Sequence, residues 1–140
     1  MRRAFFPLIC LALLSCQTLP PENPDVIAAP LTDRAGDIAR GRTLVISREG
    51  GHCILCHAVP EAEVKVFGNI APPLTGVGAR LSAAQLRRRV VDITVIHPDA
   101  AMPAFHRLND LQRVAAEYKG KPVLSAQDVE DVVAYLGSLR

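Results

Sequence analysis

Cys53-Ile54-Leu55-Cys56-His57 decides how the rest of the chain is read. Two thiols three residues apart on a tight helical turn reach the two vinyl groups on one porphyrin edge. The next residue then turns its imidazole toward the iron from the same side. This spacing is the c-type haem attachment pattern, so Cys53 and Cys56 are expected to hold one haem covalently and His57 to ligate its iron. Other readings of these residues fare worse. A structural zinc site wants four ligands, and crowding His52, Cys53, Cys56 and His57 into six residues is poor tetrahedral geometry. A thioredoxin-like redox pair needs a preceding strand and a βαβ setting, and neither is visible. A structural disulfide across so short a loop stabilises little.

Downstream of the motif, Met102 is the sole methionine besides Met1, in Met102-Pro103-Ala104-Phe105. A thioether there would complete His/Met coordination and raise the reduction potential. Methionine also serves as ordinary core filling, and His97 and His106 are rival ligands, so the sixth position stays open at this point. Between motif and methionine runs Ala71-Pro72-Pro73-Leu74-Thr75-Gly76. A ligating histidine normally donates its free ring N–H to a fixed acceptor. Pro72, with a carbonyl and no N–H, is the candidate acceptor for His57.

Three segments carry helical signals. Gly36-Asp37 precedes Ile38, Gly41, Leu44 and Val45 at helical spacing, and Gly50-Gly51 closes that run. Ser82 with Gln85 forms a capping-box pattern ahead of Leu86, Val90 and Val91. Ser125 with Asp128 repeats it ahead of Val129, Val132, Val133 and Leu136. A shorter fourth helix is expected over Asn109 to Glu117. The connecting stretches 58–80 and 92–107 are long and irregular, which a small domain tolerates poorly without a scaffold. Aromatic residues are few, with no Trp, two Tyr and four Phe, so a buried porphyrin would supply missing apolar bulk. The expected fold is all-α, with three to four helices and long loops wrapped around one covalent haem.

Upstream, Arg2-Arg3 and the apolar run Ala4–Leu14 read as an export signal, residues 1–16, too short to span a bilayer. Leu13-Leu14-Ser15-Cys16 resembles a lipobox, which would leave Cys16 as a lipid anchor; the alternative is ordinary cleavage near Ala28-Ala29. Residues 17–33 form a Pro-rich linker, and residues 34–140 form the haem domain. The expected location is periplasmic. Without Arg2 and Arg3, the sixteen basic residues fall to fourteen and match the fourteen acidic ones, so nothing favours nucleic acid. Arg87-Arg88-Arg89 reads as a solvated helix face, with a docking patch or a clamp on haem propionates as alternatives.

The order of these parts resembles a class I cytochrome c, in which the first and last helices cross closely. Gly41 and Tyr135 match the small and aromatic residues of that crossing. Gly68–Arg80, Leu86–Asp92, Met102–Phe105 and Val129–Leu136 further resemble the SoxX family of monohaem cytochromes, over about residues 48–140. Ala71, Pro73 and His97 depart from that family's pattern. The resemblance implies a heterodimer with a SoxA-type cytochrome that oxidatively couples thiosulfate to a cysteine of the carrier SoxYZ. This chain would be the electron-transfer subunit of that L-cysteine S-thiosulfotransferase, passing electrons to a small soluble cytochrome c. No catalytic residue of its own is expected. The alternative is a free-standing or membrane-tethered electron carrier. A haem enzyme with an open distal site would require Met102 to be off the iron.

Overall fold

The computed structural model describes residues 23–140, so the leader and Cys16 lie outside the described residues. Four α-helices follow in order: α1 (Ile38–Ile46), α2 (Val77–Arg80), α3 (Ala83–Asp92) and α4 (Ala126–Ser138). No strand occurs among the described residues.

Helix α1 begins where the Asp37 carboxylate accepts hydrogen bonds from the Ala39 and Arg40 amides at 2.8 and 3.1 Å. That cap satisfies donors a helix start leaves unpaired. Gly41 and Val45 face inward, whereas Ile38, at the first helical position, stays exposed. Helix α4 crosses α1 at Gly41. A Cβ there would collide with the Asp131 carbonyl oxygen and press on the Tyr135 Cβ, so hydrogen alone fits. Along α4, Val129, Val132, Val133 and Leu136 are buried, as their spacing predicts.

Both capping boxes form. The Ser82 hydroxyl accepts from the Gln85 amide at 3.3 Å and the Ser125 hydroxyl from the Asp128 amide at 3.2 Å. Leu86 and Val90 of α3 join the core with the α4 valines. The short α2 has no counterpart in the periodicity, being a single turn. The helix expected over Asn109 to Glu117 does not form. Asp110 and Arg113 both adopt φ +56°, and the segment holds only a 3-10 turn at Ala116–Tyr118. Nine residues are too few for a helix that does not bury its apolar face, and Leu111 and Val114 remain half-exposed.

The basic run on α3 departs from a solvated face. Arg87 is buried and forks onto Glu130, Nε to Oε1 at 2.7 Å and Nη2 to Oε2 at 2.9 Å. Arg89 pairs with Asp25 at 2.9 Å. These pairs fasten the segment ahead of α1: the Leu31 amide donates to Glu130 at 2.9 Å and the Asp37 amide to Asp131 at 2.8 Å. Burial works to raise the Glu130 and Asp131 carboxyls. Arg87 with the Leu31 amide, and the Asp37 amide with Gln127 and Arg40, hold them below their ordinary range instead.

Candidate haem site

The Cys53 turn is docked on the end of α1. The Ser47 hydroxyl accepts from the Gly50 amide at 2.8 Å, and the Gly51 amide donates to the Leu44 carbonyl at 3.0 Å. The chain then passes through His52 at φ +61° into a 3-10 turn over Cys53–Leu55. Cys56 and His57 both donate their amides to the Cys53 carbonyl, at 3.1 and 2.9 Å. The motif thus adopts the tight turn that places two thiols and an imidazole on one side.

That side faces a cleft of about 330 Å³. Cys53, Cys56, His57, Ile70 and Leu74 form one wall, Ala101, Met102, Pro103 and Phe105 another, and Val90, Leu124, Val132 and Leu136 line it from the core. The lining is overwhelmingly apolar and contains no Asp, Glu, Lys or Arg. Arg87, Arg88 and Arg89 lie off it.

His57 Nδ1 lies 2.6 Å from the Pro72 carbonyl oxygen. A carbonyl only accepts, so Nδ1 carries the proton and Nε2 is left free to bind a metal. The proline loop is itself fixed. Ala71 and Leu74 donate their amides to the Cys56 and Ala58 carbonyls at 3.1 and 2.9 Å. Arg80 adds Nη1 to the Thr75 carbonyl at 2.7 Å and Nη2 to the Pro73 carbonyl at 3.2 Å.

Of the three candidates for the sixth position, Met102 lines the cleft and His97 and His106 do not. His97 is exposed, and His106 donates Nδ1 to the Leu124 carbonyl at 2.8 Å. Two further residues bear on the site in ways their sequence positions do not show. Arg80 sits beside the basic run but props the proline loop. His52 lines the cleft with a buried Nε2 that has no hydrogen-bond partner; its place next to Cys53 was the available signal.

The donor set and walls fit a c-type haem. Burial pushes the Cys53 thiol up to about 11, so it stays neutral at physiological pH. A thioether is neutral too, and the environment that opposes a thiolate does not oppose that linkage. Among the described residues, no three His, Cys, Asp or Glu side chains gather into a set for a bare metal ion.

Comparison with known proteins agrees. The family model described as Cytochrome c matches residues 38–140. The crystal structure of SoxXA from P. pantotrophus contains a chain similar to this one, with a TM-score of 0.78 and 34% sequence identity. The match covers 84% of this chain and 91% of that one. A comparison with curated protein sequences returns no match.

Proposed function

This chain belongs to the cytochrome c family as a SoxX-type, electron-transfer member with a covalently bound haem c, and from that premise we propose that it is the electron-accepting subunit of a thiosulfate-oxidising complex with a SoxA-type cytochrome. The observation that carries this reading is the single cleft bringing Cys53, Cys56, His57 and Met102 together. Its apolar lining offers no charged side chain to a substrate anion.

Cys53 and Cys56 would hold the cofactor as thioethers, while His57 Nε2 and Met102 Sδ would bind its iron. When bound, the haem supplies a one-electron ferric/ferrous couple at a potential raised by the thioether ligand. The chain's own contribution is to fix geometry and exclude water. Pro72 holds the His57 ring, and the core valines and leucines keep the cleft dry.

In the coupling reaction, a carrier cysteine thiol and thiosulfate join through a new S–S bond, releasing two electrons and one proton. That chemistry belongs to the SoxA-type partner and the SoxYZ carrier. This chain accepts the electrons singly and hands each to a small soluble cytochrome c. A periplasmic location, reached through the N-terminal leader, suits such an exchange.

The test is spectroscopic. On adding thiosulfate and SoxYZ to the complex, the haem of this chain should become reduced; a haem that stays ferric overturns the proposal. Met102→Ala should abolish the weak long-wavelength band of thioether-ligated ferric haem, admit carbon monoxide to the ferrous form and lower the potential. An unchanged spectrum would remove Met102 from the iron.

A further inference from the structure

The segment ahead of α1 is tied to the helices more closely than a spacer requires. The Ile27 amide donates to the Ala84 carbonyl at 3.0 Å, and the Ile27 carbonyl accepts from Arg87 Nη1 at 2.8 Å. One oxygen of the Asp25 carboxylate takes the Gln85 side-chain amide at 2.7 Å, and the other pairs with Arg89 at 2.9 Å. Further along, the Thr32 hydroxyl donates to the Gln127 side chain at 2.7 Å, and Leu31 packs against the core. Arg87 is only 5% exposed, with Nε and Nη2 already on Glu130, so the Ile27 carbonyl completes its set of acceptors. Residues 25–33 therefore form a strap across α3 and α4.

The strap bears on how the leader is removed. Of the two cleavage points in the sequence, the one near Ala28-Ala29 would discard Asp25 and Ile27. Arg87 would then be buried with one N–H group short of an acceptor, and Gln85 and Arg89 would lose their carboxylate. A segment destined for removal has no need of partners on the folded domain. The point ahead of Cys16 leaves every one of these bonds intact, and Leu13, Leu14 and the small Ser15 supply the lipobox before it. We propose that the mature chain begins at Cys16, carries a diacylglycerol thioether there, and keeps residues 25–33 as part of its fold. The donor is a glycerophospholipid of the export membrane. A bond forms between Cys16 Sγ and the diacylglyceryl carbon, the bond from that carbon to the phosphate oxygen breaks, and the phosphate leaves with the thiol proton. Water then cleaves the Ser15–Cys16 peptide bond and frees the Cys16 amine. Two acyl chains give the stable attachment that one does not. Asp25 lies nine positions past Cys16, so the strap side of the haem domain stays within about 30 Å of the bilayer. This inference is independent of the redox partner.

The experiment expresses the full chain in a bacterial host that exports proteins, modifies lipoproteins and attaches c-type haem. The mature protein is recovered from membrane and soluble fractions, and its N-terminal peptide is read by mass spectrometry. The expected peptide begins at Cys16, carries the added mass of a diacylglycerol and comes from the membrane fraction. A peptide that begins at Ala29 or Pro30 overturns the proposal, and so does a soluble chain with no lipid mass. Cys16→Ser should remove the lipid and leave the Ser15 bond uncut, with the haem spectrum unchanged. Cleavage at that same bond in the variant would assign it to ordinary leader removal and overturn the lipid. The strap is read in the unaltered mature protein by hydrogen exchange. The Ile27 amide should exchange about tenfold or more slowly than an unstructured amide. Exchange at the unstructured rate would mean that residues 25–33 are not held on α3, and would overturn their place in the mature fold.

Discussion

Where α1 meets α4, Gly41 lets the backbones touch, four α4 side chains close the interior, and Arg87–Glu130 and Arg40–Asp131 lock the segment ahead of α1 in place. Around the cleft, residues 47–76 and 93–124 hold only 3-10 turns, and their side chains face one another across about 330 Å³. One region is closed by its own contacts, and the other closes on its cofactor. The difference accounts for how a chain with so few aromatic residues completes a core: the helical side closes with aliphatic side chains and the one aromatic Tyr135, and the loop side takes its bulk from a porphyrin.

The largest effect should come from breaking that division at the attachment point. Cys53→Ala with Cys56→Ala should leave no haem that survives denaturation, read by haem staining after gel electrophoresis. In the same variant, amides of 47–76 and 93–124 should exchange with solvent far faster than those of α1 and α4. Equal loss of protection in both regions would show that the helical side is not self-closing.

A smaller effect, confined to the helical side, should follow from Arg87→Ala. It leaves the Glu130 carboxylate buried without its partner, at a cost of about 3–5 kcal/mol, measured by denaturant unfolding of the haem-loaded protein with its spectrum unchanged. The pH dependence has a definite sign. Glu130 and Asp131 titrate below their ordinary values in the folded chain, so the unfolded chain binds protons first as pH falls. Their stabilisation is therefore complete above the ordinary carboxylate range and lost as pH drops through the lowered values. Asp131→Asn should flatten that acid limb.

The sequence was most legible where local chemistry sets structure. Asp37, Ser82 and Ser125 cap the helices they announce, and the C-x-x-C-H turn forms where its spacing requires. It was least legible where a residue's partner is far along the chain. Arg87 looked like one of three solvated arginines because Glu130, 43 positions away, is invisible to a local reading. The segment 109–117 has apolar residues at helical spacing but nothing to bury them, and spacing alone cannot report that. The cleft walls Val90, Leu124 and Val132 come from three segments, so only the fold brings them beside Cys56 and Met102.

The smallest effect, and the one that sharpens the comparison most, concerns Arg80. It stands on α2, at the border between the two regions, and reaches into the loop side to hold the Thr75 and Pro73 carbonyls. Arg80→Gln should cost about 1 kcal/mol in stability while loosening the loop that carries Pro72. A weaker acceptor for His57 Nδ1–H makes the imidazole a poorer donor to the ferric iron, so the reduction potential should rise. Arg80→Lys, with one point charge in place of a planar fork, should recover only part of the shift. A potential unmoved in Arg80→Gln would mean that the Ala71 and Leu74 amide bonds alone fix the loop. The cleft would then owe its geometry to the attachment turn, and the helical side would contribute walls but no positioning.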